Sequence, residues 1–291
     1  MMLAICLDTY AFLRKYHYLL DRKAIPNVKN ETYLKLGSLG PDLFLYYHFW
    51  RPAKHKTYME KMDFLRKKNY LPYLIDLVEQ MKGKESHLLA YTFGFITHLA
   101  LEHRTYSFIS YFANERKIPE RKLETIIDTI LMKKYHNLNT WKSKIDKEID
   151  VGFNLDKQLC ESFYPLLANS LLSTHDHVLP ADFMQRAYRD TKLALKLLAD
   201  PHGWKNTFLS RWTAAYSHRP VITNQDYLNL KQRTWHNVNT NDTADLSFIQ
   251  LFEQSKIEAA SLMQSINHYW SNKNNMTIDD IKSIMHTYFK Q

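Results

Sequence analysis

The chain is short of cysteine, of glycine and of long apolar runs, and each shortage removes a class of protein. Cys6 and Cys160 are its two cysteines; they can build neither a disulfide framework nor a finger-type thiolate metal site. Six glycines in 291 residues are too few for the turns of a large antiparallel sheet, and no long alternating apolar–polar run marks a strand. No stretch approaches the roughly eighteen apolar residues that cross a bilayer. The apolar start Met1 to Leu7 lacks a basic flank and is broken at once by Asp8, so it is a poor signal peptide and a cytoplasmic location is expected. Without an arginine-rich tract, a finger spacing or another recognisable module, nucleic acid is not an expected partner.

What is present is an ordinary globular composition, 45% hydrophobic and 24% charged, in a chain long enough to bury a sizeable core. No domain boundary is visible, and residues 1–291 are read as a single helical domain. The helical patterns fall at Leu3 to Asp21, Glu31 to Leu36, Tyr58 to Lys68, Pro72 to Met81, Glu85 to Phe112, Pro119 to Tyr135, Asp156 to Ser173, Pro180 to Ala199, Leu246 to Trp270 and Thr277 to Phe289. The class is all-α, with roughly ten helices. A polar stretch, Trp204 to Asp245, reads as a long loop on the bundle. The formal net charge of +9 favours anionic partners, either phosphate esters or an anionic membrane touched from its surface; a plain solvated basic surface is the alternative.

The chemistry lies in a few spacings. His98 stands four residues before Glu102 in the most apolar segment, and Glu120, Glu124 and Asp128 follow one another at the same interval. Residues four apart on a helix share a face, which is how helical bundles hold metal ions. Asp42 follows Gly40-Pro41, so it is presented at the first turn of the next segment, where two carboxylate oxygens can bridge two ions. Chance alone supplies about one His-x-x-x-acid pair in such a chain. On the bland reading, His98 is a core histidine bonded to a neighbour, and Glu120, Glu124 and Asp128 are an exposed face paired with lysines.

Several separated segments, in order, resemble the bacterial zinc-dependent phospholipase C family, in its compact, non-secreted branch. They are Leu36-Gly37-Ser38-Leu39-Gly40-Pro41-Asp42 with its aromatic tail, Gly94-Phe95-Ile96-Thr97-His98 through Glu102, Arg121-Lys122-Leu123-Glu124 with Ile127-Asp128, Asp226-Tyr227-Leu228-Asn229 with Trp235, and the Phe248 to Met263 helix. The resemblance implies an all-helical fold with up to three zinc ions that cleaves the glycerol-side phosphodiester of phospholipids. On it, Asp42 is the bridging aspartate and catalytic base, His98 and Glu102 are ligands of the central helix, and Glu124 is the glutamate of the last pair. The chain departs from the pattern where histidines are expected: Tyr106, Glu120, Asp63 and Tyr10 stand in their places, with His55 and His17 the nearest substitutes.

The set that remains (Asp42, Asp63, His98, Glu102, Glu120 and Glu124) is rich in carboxylates and suits Mn, Mg or Fe better than Zn. Two readings follow. One is a metal-dependent phosphodiesterase acting on a phospholipid or related phosphodiester. The other is a catalytically inactive relative, without metal, serving as a binding or scaffold protein. In the second, buried carboxylates need protonation, hydrogen bonds, or arginine or lysine partners, and Arg104 and Arg121 are the nearest in sequence.

Overall fold

The computed structural model describes residues 28–51, 71–142, 144–163, 180–198, 219–221, 225–238 and 240–289. Its helices are α1 (Val28–Gly37), α2 (Leu71–Met81), α3 (Ser86–Arg116), α4 (Glu120–His136), α5 (Phe183–Leu198), α6 (Phe248–Trp270) and α7 (Ile278–Phe289), with a further helical segment at 157–163. A short 3-10 turn, Gly40–Phe44, follows α1. The class is all-α, as the periodicity predicts. The exception among the described residues is a two-residue ladder, in which Trp235 pairs with Ala244 and His236 with Thr243. It is too short to leave an alternating signature. The segments expected at Leu3 to Asp21 and Tyr58 to Lys68 lie outside the described residues, as does the later part of Asp156 to Ser173. No described helix is long and apolar enough to cross a membrane.

α3 organises the rest. It is buried on every face from Ala90 to Glu102, as expected of a segment that is apolar nearly all round, and keeps one buried side from there to Ala113. It runs one turn beyond the predicted end at Phe112. There the Arg116 guanidinium donates to the Asp226 carbonyl at 2.8 Å and lies 4.9 Å from the Phe112 ring, while Glu115 holds Arg233. The helix stops where Lys117 turns left-handed at φ 52°. α4 starts directly after Pro119, with Glu120 in its first turn and Lys133, Lys134 and His136 in its last, charges that complement the helix dipole. α6 begins at a capping box in which Ser247 and Gln250 each bond the other's backbone.

Two glycines set how closely α1 crosses α3. A Cβ on Gly37 would sit 2.0 Å from the Tyr91 carbonyl oxygen, and one on Gly94 would sit 2.1 Å from that of Leu34. Each helix thus presents a glycine to the other's backbone. The chain leaving α1 then folds under α3. Gly40 adopts φ +53°, and its missing side chain leaves room for the His98 ring, 2.5 Å from where a Cβ would lie. α5 fastens the segment that follows: Thr191 donates to the Leu43 carbonyl at 2.7 Å, and Asp190 accepts the His48 N–H at 2.8 Å.

Among the described residues a small apolar cluster joins Leu45 and Tyr46 to Ala194 of α5, and two others are strung along α3. The larger reaches Ala100 and takes in α1, α2, the second half of α6 and α7. The smaller starts at Leu101 and takes in α4, Leu228, Trp235 and the first turns of α6. The buried polar residues His98, Glu102 and Thr105 of α3 fall at the junction. The 225–247 stretch packs on the smaller cluster. Trp235 Nε1 donates to the Leu246 carbonyl at 3.0 Å, and the Asn229 amide donates to the Arg233 carbonyl at 2.9 Å.

Two consequences can be measured by denaturant unfolding. Gly37→Ala and Gly94→Ala should each cost about 3 kcal/mol, because backbone rather than a movable side chain opposes the new methyl. Gly83, with φ +76° and nothing within 4 Å of its Cβ position, should lose only roughly 1 kcal/mol as alanine, the cost of the left-handed conformation. The second consequence concerns acid. Burial alone would raise Asp150 and Asp156, but bonds from Lys192, the Gly152 N–H and Tyr188 to the first, and from His87 and the Gln158 N–H to the second, bring both below the ordinary aspartate value. A depressed carboxyl stabilises the fold above its unfolded value and loses that contribution as pH falls through the folded one. Stability should therefore drop below about pH 4, and Lys192→Met should flatten that part of the curve.

Candidate functional site

Near the junction of the two α3 clusters the structure brings four of the sequence-predicted residues into two pairs, Asp42 with Glu124 through Arg121 and His98 with Glu102. Asp42 is delivered by the 3-10 turn after Pro41 and is only 6% exposed. Arg121, in the first turn of α4, grips it with both arms of its fork. Nη2 donates to Oδ1 at 2.6 Å and Nη1 to Oδ2 at 3.0 Å. The same Nη1 lies 3.1 Å from Glu124 Oε2, one turn further along α4. A single guanidinium thus binds two buried carboxylates, in the charge-assisted, two-pronged geometry to which arginine is suited. Of the two arginines expected near the acids, Arg121 takes this place. Arg104 instead crosses to α6, where its Nε donates to Glu258 at 2.8 Å.

His98 and Glu102 form the other half. The His98 ring packs on Gly40, and its Nδ1 lies 3.1 Å from the Ser38 carbonyl. A carbonyl only accepts, so Nδ1 carries the hydrogen and Nε2 is turned toward Glu102 Oε2, 3.3 Å away. That contact is attractive when a proton lies between the two atoms. The same orientation, with one ring nitrogen tied to a carbonyl and the other facing a carboxylate, is how proteins aim histidines at metal ions. Ser38 contributes through its backbone, so no side-chain signal in the sequence could have identified it.

The remaining acids divide. Glu124 and Asp128 are 5% and 1% exposed; they do not form the solvated, lysine-paired face that the bland reading of α4 supposed. Helical phase explains this, since both sit beside Leu123, Ile127 and Leu131 on the face turned to α3 and α6. Glu120 is partly exposed at the start of α4, and Tyr106 is partly exposed on α3. Asp63 and its neighbour His55, with Tyr10 and His17, lie outside the described residues.

As arranged, Asp42 and Glu124 do not fit a divalent ion. Both oxygens of Asp42 accept from Arg121. A dication about 4 Å from that guanidinium would be repelled by roughly 8 kcal/mol at an effective dielectric near 20. Among the described residues, no three His, Cys, Asp or Glu side chains converge as a metal-holding group. No family model, curated protein or solved structure matches the chain.

The fork makes a direct prediction. Arg121→Ala should destabilise the protein by about 3 kcal/mol, because two buried carboxylates lose their cation. Adding Asp42→Ala should cost much less than its own single effect, giving a coupling of about 2 kcal/mol in a double-mutant cycle. Additive losses would mean the contact contributes nothing in solution.

Proposed function

We propose that the chain is a catalytically silent protein with a fold like that of the zinc-dependent phospholipases C, acting as a binding or scaffold module. One observation carries this reading: Arg121 supplies Asp42 and Glu124 with the positive charge that a bridging metal ion would otherwise supply. A carboxylate held on both oxygens by a guanidinium is not disposed to bridge two ions or to take a proton from water. The net charge of +9 favours an anionic partner, a phosphate ester or the surface of an anionic membrane.

The orientation of His98 favours a second reading, a metal-dependent phosphodiesterase acting on a phospholipid or related phosphodiester. Its Nδ1 is tied to the Ser38 carbonyl, which leaves Nε2 facing Glu102. That reading requires Arg121 to leave Asp42 before zinc, or manganese, magnesium or iron in its place, can be held there.

Elemental analysis of the protein purified without chelators separates the two, run on the wild type, His98→Ala and Arg121→Ala. Alongside it, hydrolysis of a chromogenic phosphodiester is measured with added zinc or manganese. The silent reading expects metal well below one equivalent and no turnover in the wild type. Near-stoichiometric metal that disappears in His98→Ala, together with turnover, would establish the phosphodiesterase instead.

A further inference from the structure

Away from the Arg121 site, the larger core holds two hydroxyl groups that packing alone does not explain. Tyr73 of α2 is 7% exposed and Tyr91 of α3 is 0% exposed, and among the described residues no group forms a hydrogen bond with either phenol oxygen. The two rings share one aromatic surround. Tyr91 meets Phe163 edge-on at 4.9 Å; Tyr73 lies 6.2 Å from Phe163 and 5.6 Å from Phe95. Cys160, one turn before Phe163, belongs to the same surround.

The cluster is electrically neutral. Burial, with the neighbouring Tyr91 opposing a charge there, raises the Tyr73 phenol far above its ordinary value; burial and the nearby Cys160 raise that of Tyr91. Burial, reinforced by Asp156 and Glu161, pushes the Cys160 thiol up to about 11. The charges felt at the Cys160 side of the cluster are those of Asp156 and Glu161, which disfavour a further anion. Phenylalanine would fill both ring positions equally well, whereas a buried hydroxyl left unbonded is a standing loss to the fold. Such groups in folded proteins are characteristically satisfied by ordered internal water.

We propose that Tyr73 and Tyr91 together form an internal binding site for one small, neutral, hydrogen-bonding molecule, a water that bridges α2 to α3. The proposal is independent of what the Arg121 site does. It is tested on the full chain with Tyr73→Phe, Tyr91→Phe and the double variant, all of which keep the rings. Each single change should lower the melting temperature by about 2 °C. The double should lower it by clearly less than the sum, because losing one hydroxyl already loosens the shared molecule. Solution NMR should show a long-lived water in contact with the Tyr91 and Phe163 ring protons, and the double variant should lose it. Absence of that contact in the wild type, or single variants that melt at or above the wild type, would overturn the site and leave a dry core with two tolerated hydroxyls.

Discussion

The candidate site depends on the close crossing of α1 over α3. Gly37 and Gly94 each face the carbonyl of the opposing helix, so the two backbones approach nearer than any side chain would allow. That proximity puts Ser38 within bonding distance of His98 and brings Gly40 against its ring. It also leaves Pro41 to set the direction in which Asp42 enters the interior. Widening the crossing by one methyl would separate the loop from the helix that carries His98 and Glu102. Metal chemistry and ion-pair chemistry would need this scaffold equally, so the glycines do not distinguish them.

Charge distinguishes them. An interior position that gathers carboxylates must also gather positive charge, because unpaired buried anions are not tolerated. A metal ion supplies that charge reversibly and leaves coordination positions for a substrate. A guanidinium supplies it covalently and, in this geometry, occupies one accepting position on each oxygen of Asp42. Such a buried pair adds little net stability compared with apolar packing, yet breaking it is costly. Arg121 is therefore better understood as fixing the register of α4 against the 40–44 turn than as a source of stability. The His98–Glu102 pair differs in kind: a backbone carbonyl orients the ring, and the contact with the carboxylate carries no fixed cation.

Much of the helical fold could be read from the sequence, because 3.6-residue periodicity and Pro or Gly punctuation act locally. Pro72 and Pro119 mark starts that the structure places within one residue. Leu74, Ile75 and Val78 point inward, as the period demands. The meeting of Asp42 with Arg121 is a different kind of fact. The residues are 79 apart, and nothing local at Arg121 distinguishes an inward guanidinium from a solvated one. The i, i+3 spacing to Glu124 was visible, but it is shared by many surface pairs that contribute little. Burial of Asp128 was missed for the same reason, since a carboxylate on the apolar edge of a helix reads as the start of its polar face.

The same accounting changes what the +9 charge means for partners. Arginine is the residue that recognises phosphate with geometric precision, and among the described residues five arginines are bonded to other groups of the chain, Arg186 and Arg233 at exposed positions. Arg104 is bound to Glu258, Arg116 to the Asp226 carbonyl, Arg121 to Asp42, Arg186 to Asp182 and Arg233 to Glu115. The charge left to face an anion is carried more by lysine, a compact cation that attracts without imposing orientation. Contacts of that kind are screened strongly by salt and discriminate poorly among anions.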